Sequence, residues 1–167
     1  VSKPPYVESE IPIIIIENFP ELKRLNLNLS SMKKNKSIVY HGHLAPERGL
    51  KDLIKAVHHI KTVHSDVRLS LIGTFRTKDF KNKISNMIIK LNLKDNINLI
   101  PQVPHDEVWT IMQKHSIGVI PFRKTPLTEE NTPTKLFEMM ASGLEIVATD
   151  MPPIRNFVVD TIYWTKP

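Results

Sequence analysis

The residues best placed to do chemistry lie in the second half of the chain, close together in sequence. Glu130 precedes Lys135 and Glu138, so this short stretch carries both signs of charge. A lysine can neutralise a phosphate, and a carboxylate accepts hydrogen bonds from hydroxyl groups. A nucleotide sugar offers both kinds of group, with a pyrophosphate between hydroxyls on the sugar and the ribose. The residue types alone do not separate this interpretation from a surface helix with solvated charges.

The spacing around these residues predicts a helix from Thr132 to Ser142. Thr132 is a candidate cap, Pro133 suits the first helical position, and Gly143 suits the position just past the end. Free N–H groups at such a helix start favour a bound anion. Three apolar side chains of this helix are most simply core contacts: Leu136, Met139 and Met140.

Three earlier turns, each predicted to follow a strand, carry weaker signals. Gly42 lets the backbone approach a ligand, and Arg48 is predicted to open the next helix and to add charge for a pyrophosphate. Gly73 permits a similar approach after the following strand. The proline-stiffened loop at Gln102 and Val103 is a candidate for recognising a base edge. Each feature also suits an ordinary turn between a strand and a helix.

Apolar runs and helical spacing alternate along the chain from residue 37 onward, which predicts alternating strands and helices. The predicted strands are 37–41, 67–72, 97–100, 117–121, 145–149 and 162–164, and the predicted helices are 47–63, 80–91, 106–114, 132–142 and one beginning at 153. Mostly apolar strands are typical of a parallel sheet that is buried on both faces. Right-handed crossovers then give a Rossmann-like, doubly wound α/β domain, which binds ligands at the carboxyl ends of its strands.

The length of 167 residues suits one domain. We predict that residues 1–36 form a lead-in and interdomain crossover segment, with a strand at 13–16 and a short helix within 21–36. Residues 37–167 are predicted to form the binding domain. The apolar stretch Ile11 to Ile16 is far shorter than the roughly 20 residues that span a bilayer, and no signal peptide is visible.

The net charge of +6 favours anionic partners. The lysines are spread along the chain and the aromatic residues are not interleaved with them, which argues for solvated faces and against nucleic acid. No metal is expected, since there is no cysteine, no Asp-x-Asp pair near a strand end, and no ligand spacing among the seven histidines.

Two overlapping segments, Glu130 to Glu138 and Pro133 to Gly143, carry a resemblance. The first matches a Glu-x₇-Glu motif, and the second reads Pro-x-Lys-Leu-Phe-Glu-x-Met-Ala-x-Gly. Together with the strand and helix order, they resemble the C-terminal, donor-binding domain of family 4 retaining glycosyltransferases, which have the two-domain GT-B fold. The resemblance extends from Ile13 to Val158.

The resemblance implies a role for several residues. Glu138 would bind the ribose hydroxyls, Glu130 would lie beside the donor sugar, and Arg48 would neutralise the departing pyrophosphate. The loop at Gln102 would lie against the base, and helix N–H groups near residue 132 would face the pyrophosphate. The implied catalytic residues are Glu130 and Arg48. The implied donor-binding residues are Gly42, His43, Gly73, Gln102, Val103, Asn131, Thr132, Pro133, Lys135, Leu136 and Glu138.

Three positions depart from the family pattern. His43 stands where the family often has an arginine, which removes a permanent charge and a bidentate donor. Arg48 replaces the usual lysine and keeps the charge. Glu129 precedes Glu130, so either could face the sugar, although the spacing of seven residues favours Glu130.

The resemblance also implies what the whole protein does. The sugar of a nucleotide-diphosphate sugar would pass, with retention of configuration and without a metal, to an acceptor sugar or lipid-linked sugar held by an N-terminal domain that this chain lacks. The 167-residue chain would then bind donor but transfer little by itself. A cytoplasmic location is expected, and the positive charge fits a peripheral contact with the inner face of the membrane. The alternatives are a non-catalytic nucleotide-binding or scaffold domain and a fragment of a GT-B nucleotide-sugar epimerase.

Overall fold

Six short apolar runs of the sequence form one parallel sheet. The computed structural model describes residues 37–158 and 160–167. The predictions for residues 1–36, including the strand at 13–16, the helix within 21–36 and the crossover segment, lie outside the described residues. The strands are β1 Ser37–His41, β2 Arg68–Ile72, β3 Ile97–Ile100, β4 Ile117–Ile120, β5 Glu145–Thr149 and β6 Ile162–Thr165.

The strands lie in the order β3-β2-β1-β4-β5-β6, and all neighbours are parallel. This order confirms the predicted Rossmann-like, doubly wound sheet. The chain moves outward from β1 to β3 and then returns to β4 on the other side of β1. The carboxyl ends of β1 and β4 therefore flank the crevice in which such sheets bind ligands.

Helices connect the strands. They are α1 Leu50–Lys61, α2 Lys78–Lys90, α3 His105–Met112, α4 Pro126–Glu129, α5 Lys135–Ala141 and α6 Pro152–Arg155. With the right-handed connections that parallel strands take, α1 and α2 cover one face of the sheet, and α3, α5 and α6 cover the other. All five residues of β1 are buried, as expected for a central strand with helices on both faces. No helix in the described part of the chain is long and apolar enough to cross a membrane.

The helix predicted over residues 47–63 begins later than expected. Residues Pro46–Arg48 form a 3₁₀ turn, and Gly49 follows with a φ of +70° before α1 begins at Leu50. The left-handed conformation of Gly49 interrupts the helical path between the turn and the helix. The prediction that Arg48 opens the helix is therefore wrong, and Arg48 lies in the turn that precedes it.

The helix predicted over residues 132–142 also begins later, at Lys135. The amide of Leu136 donates to the carbonyl of Pro133, at 2.9 Å, instead of to Thr132, so the helical hydrogen bonds start further along the chain. Thr132 is therefore not the cap, and Pro133 is not the first helical residue. The end was predicted correctly, since Gly143 follows α5 with a φ of +64°. The short helix α4 was not predicted.

Candidate functional site

Two loops meet at the carboxyl ends of β1 and β4. The N–H of Arg123, after β4, donates to the carbonyl of Glu47, after β1, at 3.0 Å. Gly49 packs so closely against β4 that a Cβ there would lie 1.6 Å from the carbonyl oxygen of Pro121. A glycine at this position thus allows the close approach of the two loops, which brings Arg48 near the start of α5.

Lys135, the first residue of α5, reaches back across the crevice to β1. Its Nζ donates to the carbonyl of His41 at 2.5 Å and lies 4.1 Å from the ring centroid of Tyr40. Burial, together with the positive charge of Arg48, lowers the pKa of Lys135 to about 7, although Glu138 acts in the opposite direction. A cation held in this way has few polar partners, so an arriving anion would stabilise its charged form.

Arg48 supplies a second cation next to Lys135. Its guanidinium carbon lies 4.4 Å from the ring centroid of Phe122, and Lys135 Nζ lies 5.2 Å from the same ring. The two side chains therefore share one aromatic neighbour at the end of β4. Their proximity makes this part of the crevice strongly positive.

Glu138 lies three residues further along α5 and is 5% exposed. Its Oε1 is 2.8 Å from Nε2 of His105, and its Oε2 is 3.0 Å from Nε2 of His41. The first contact has hydrogen-bond geometry, whereas the second is an approach without that alignment. Burial would raise the pKa of Glu138, but His41 and His105 together outweigh burial and lower the pKa below its usual value. Glu138 is therefore a buried, ionised carboxylate at neutral pH.

Three residues around Glu138 were not predicted from the sequence. Burial lowers the pKa of His41, so its imidazole is neutral beside the carboxylate. Trp109 donates its Nε1–H to Nδ1 of His105 at 3.2 Å. His105 directly precedes the helix predicted over 106–114, and in the structure it begins α3, so that it shares a helix face with Trp109 four residues on. Nothing in the sequence indicated that this face points at Glu138.

A cleft of about 250 Å³ opens beside Glu138, at the carboxyl ends of β1, β2 and β3. Five of the predicted donor-binding residues line it, namely Gly42, His43, Gly73, Gln102 and Val103. His41 and His105 also belong to its wall. The structure thus brings together residues from three separate turns that the sequence analysis selected independently.

Two glycines shape this cleft. Gly73 has a φ of +142°, and a Cβ there would lie 2.0 Å from the carbonyl oxygen of Gly42. Gly42 has a φ of +112°, and its missing Cβ leaves room for Nζ of Lys135, which would be 2.9 Å away. Side chains at these positions would be strained and would displace the neighbouring loop or the lysine.

The other predicted residues lie outside this cleft. Glu130 follows α4 and is exposed. Asn131 is also exposed, and its Nδ2 donates to the carbonyl of Leu127 at 3.2 Å. Leu136 and Met139 are completely buried, as expected for core contacts, whereas Met140 is 42% exposed and the same expectation for it is wrong. Thr132 is partly buried and Pro133 is buried, in the segment between α4 and α5. Their roles in binding stay predictions.

Glu129 and Glu130 have different surroundings. Oε1 of Glu129 lies 3.1 Å from Nζ of Lys124 in an ion pair. Among residues 37–158 and 160–167, the carboxylate of Glu130 has no such partner. The difference agrees with the spacing argument, because an unpaired exposed carboxylate is the one that is open to a ligand.

A cavity of about 330 Å³ adjoins the cleft and shares Gly73, Thr74 and Gln102 with it. Two still larger cavities lie elsewhere. One of about 770 Å³ lies at the amino ends of β1, β2 and β3, and another of about 740 Å³ lies at the carboxyl ends of β4, β5 and β6. Volume alone would favour either of them. Neither is lined by His41 or His105, the two residues that contact the carboxylate of Glu138. The smaller cleft is lined by both, so the chemistry favours the smaller cleft. Within the described part of the chain, no three acidic or histidine side chains are arranged to hold a metal ion.

The sequence profile of the family described as "Glycosyl transferases group 1" matches residues 15–167. An uncharacterised glycosyltransferase of Haemophilus influenzae is 28% identical over 120 residues, which cover 72% of this chain and 31% of that protein. The chain therefore spans about a third of the length of this curated relative.

Solved structures share the fold. Staphylococcus aureus TarM, crystallised with UDP, fondaparinux and alpha-GlcNAc-glycerol, superposes with a TM-score of 0.70 at 19% identity, over 92% of this chain and 28% of that chain. The C-terminal domain of LpcC, a group 1 glycosyl transferase family protein from Francisella tularensis, gives a TM-score of 0.69 at 20% identity, over 89% of this chain and 77% of that chain. These similarities establish a Rossmann-like fold of the kind that forms half of a GT-B glycosyltransferase.

Proposed function

The chain belongs to the group 1 glycosyl transferases, and we propose that it is the donor-binding part of a retaining enzyme of family 4 that transfers sugar from a nucleotide-diphosphate sugar. One observation carries this proposal. The partly buried Lys135, with Arg48 beside it, and the buried, ionised Glu138 flank the crevice between β1 and β4, next to a cleft lined by residues of three strand ends.

The two cations suit the pyrophosphate of the donor. Lys135 and Arg48 both lie close to the Phe122 ring, where water is partly excluded and charges interact more strongly. In sugar transfer, negative charge develops on the departing nucleotide diphosphate. Cations that are already in place stabilise that charge in the transition state. They supply the role that a metal ion has in other sites, which supports transfer without a metal.

Glu138 and the cleft suit the nucleoside. The ionised carboxylate accepts hydrogen bonds and has no donor of its own, so it matches the ribose hydroxyls. A cleft of about 250 Å³ is smaller than the roughly 300–1,000 Å³ typical of whole-ligand sites. We therefore assign it to the nucleoside, with the base against Gln102 and Val103. The UDP in the TarM crystals makes uracil the first base to test.

The remaining parts of the proposal concern the whole protein. Because the chain spans 31% of its curated relative, we propose that another domain holds the acceptor sugar or lipid-linked sugar, and that Glu130 faces the donor sugar at the border between the two. A cytoplasmic protein with a peripheral membrane contact would fit such an acceptor. Transfer by the intact protein in the presence of EDTA would support a reaction without a metal.

A thermal-shift series with UDP, GDP, ADP and their sugars tests the proposal. A ligand that binds only the folded state stabilises it, by about 2.7 kcal/mol when present at 100 times its Kd. We expect one nucleoside diphosphate to raise the melting temperature more than the others. If none of them does so at millimolar concentration, the chain is not a donor-binding domain, and a scaffold role becomes the better explanation.

A further inference from the structure

Two hydrogen bonds in series connect a buried side chain of α3 to the carboxylate of Glu138. Trp109, which is 3% exposed, donates its Nε1–H to Nδ1 of His105 at 3.2 Å. The two rings meet edge to face, with centroids 5.5 Å apart. Nε2 of His105 then lies 2.8 Å from Oε1 of Glu138. The side chain of His105 is half exposed, and His105 lines the cleft.

Trp109 determines which nitrogen of His105 carries the hydrogen in the neutral imidazole. An indole N–H can only donate, so Nδ1 of His105 must present a lone pair. Nε2 therefore carries the hydrogen and donates to Glu138. The other tautomer would oppose two N–H groups at Nδ1 and would turn a lone pair toward the carboxylate at Nε2. A buried tryptophan thus imposes a direction on the whole series of hydrogen bonds.

We propose that His105, oriented by Trp109, is a positioning residue that aims Glu138 at the ribose and makes the site select ribonucleotides over deoxyribonucleotides. This inference rests on the proposed function. A carboxylate oxygen accepts about two hydrogen bonds, so Oε1 keeps one lone pair for a ribose hydroxyl after it binds His105. A carboxylate whose plane is already fixed loses little freedom when the nucleotide arrives.

His105 is better suited to this role than His41. Nε2 of His41 lies 3.0 Å from Oε2 but without the alignment of a hydrogen bond, so it does not fix the carboxylate plane. The contact between His105 and Glu138 also joins α3 to α5. The alternative is that His105 only stabilises the packing of these two helices. A structural role would change stability and would weaken all nucleotides equally, whereas positioning changes the preference for a ribose hydroxyl.

The test compares dissociation constants for UDP and 2′-deoxy-UDP, with the GDP and ADP pairs in parallel, using the whole chain. We expect the wild type to prefer the ribonucleotide by roughly tenfold or more, the effect of one hydrogen bond to a charged group. His105→Leu should reduce that preference to about twofold or less, because the donor to Glu138 is lost. His105→Gln, whose amide can supply an N–H near the place of Nε2, should keep most of the preference.

The control is His59→Gln, which makes the same change at an exposed position of α1 and should leave the preference unaltered. If His105→Leu weakens both nucleotides and the preference persists, the positioning role is overturned. If the wild type binds a ribonucleotide no better than its deoxy form, this inference fails while the proposed function stands. If the wild type binds none of the three diphosphates, the proposed function fails, and this inference fails with it.

Nitrogen-15 NMR of the imidazoles gives a second result that needs no nucleotide. His105→Gln identifies the signals of His105, which should show hydrogen on Nε2 alone. Trp109→Phe keeps an aromatic ring but removes the donor, so a mixture of the two tautomers should appear. Hydrogen on Nδ1 in the wild type, or an unchanged spectrum in Trp109→Phe, would show that the tryptophan does not orient His105.

Discussion

At the scale of single residues, Lys135 and Glu138 show how burial can prepare opposite charges for different groups of one ligand. Lys135 is a cation whose charged form is disfavoured until an anion arrives, since burial and Arg48 lower its pKa to about 7. Glu138 stays ionised despite burial, since His41 and His105 lower its pKa. The two residues are separated by less than one helical turn of α5. They therefore present a cationic and an anionic group within the length of one nucleotide.

The binding of a nucleoside diphosphate should take up a proton through Lys135. Above pH 7, the free amine is increasingly neutral, because the pKa of Lys135 in the ligand-free protein is about 7. A bound pyrophosphate stabilises the ammonium and raises that pKa, so protonation accompanies binding. Proton uptake should rise from about half a proton at pH 7 toward about one at pH 8.5. Calorimetry in two buffers of different ionisation enthalpy measures it.

Lys135→Met is the control for this prediction, since it removes the titrating group from the same position of α5. The variant should bind more weakly and take up fewer protons. Equal binding heats in the two buffers for the wild type would mean that Lys135 keeps one protonation state throughout, and would contradict the role given to it.

Glu138 and Glu130 should affect different parts of the ligand. Glu138→Ala should weaken the binding of plain nucleoside diphosphate by roughly 10- to 100-fold, because hydrogen bonds from the ribose to a charged group are lost. Glu130→Ala should leave that affinity within about threefold and should remove the preference for the form that carries the sugar. Titration calorimetry with both forms of the nucleotide measures the difference. Equal effects of the two substitutions on plain diphosphate would contradict this division.

At the scale of elements, the site depends on the close contact between the loop after β1 and the end of β4. Gly49 has a φ of +70°, and its missing Cβ leaves room for the carbonyl of Pro121. The same contact keeps Arg48 in a turn next to Phe122 instead of in α1. Both the left-handed backbone and the close packing require glycine here.

Gly49→Ala should destabilise the fold more than Gly143→Ala. Both glycines have a positive φ, of +70° and +64°, so backbone strain of about 1 kcal/mol is common to the two substitutions. Only at Gly49 would the new methyl group overlap a backbone carbonyl, at 1.6 Å. We expect an additional loss of at least about 2 kcal/mol in the free energy of unfolding at Gly49. Urea denaturation measures both values, and similar losses would contradict the close contact.

The sequence predicted the strands well because each is a short, mostly apolar run, and those at the centre of the sheet are largely buried. It predicted Gly143 because a helix end favours a left-handed glycine. It predicted the starts of α1 and α5 poorly. The start of α1 depends on the close packing of Gly49 against the carbonyl of Pro121. The start of α5 depends on the hydrogen bond that the amide of Leu136 donates to the carbonyl of Pro133. Such contacts are set by the fold and leave no local pattern.

The candidate site was predictable in its charged residues and not in its surroundings. Lys135 and Glu138 stand in a motif that can be recognised from residue types and spacing. His41 and His105 come from strand and helix ends that are 64 residues apart in sequence (105 − 41) and meet only when the sheet order is known. The same holds for Phe122, which both cations approach.

At the scale of the whole molecule, the parallel sheet places the charged side chains, the cleft and the glycine turns at the carboxyl ends of its strands. The parallel strands bring the ends of β1, β2, β3 and β4 to the same side. Under the proposed function, these strand ends form the wall that contacts the nucleotide. Glu130 is exposed, and in the proposed enzyme it would face the donor sugar.

The 167-residue chain should therefore bind donor without completing transfer. We predict that it forms no glycosylated product from UDP-, GDP- or ADP-sugars with sugar or lipid-linked acceptors, even where a thermal shift shows binding. Radiolabelled donor and separation of the products would detect slow turnover. Transfer that depends on this chain alone would show that the acceptor needs no other domain, and that the division of the enzyme proposed above is wrong.

The most direct test of nucleotide binding in the Lys135–Glu138 crevice is an NMR titration of the nitrogen-15-labelled chain with the nucleoside diphosphate that stabilises it most. We predict that the largest amide shifts fall on Gly42, Gly73 and Gln102, which line the cleft of about 250 Å³, and on Lys135, whose Nζ lies next to Gly42. Shifts centred instead on Ser70, Lys94 and Asn98, around the cavity of about 770 Å³ at the opposite end of the sheet, would contradict the proposed site.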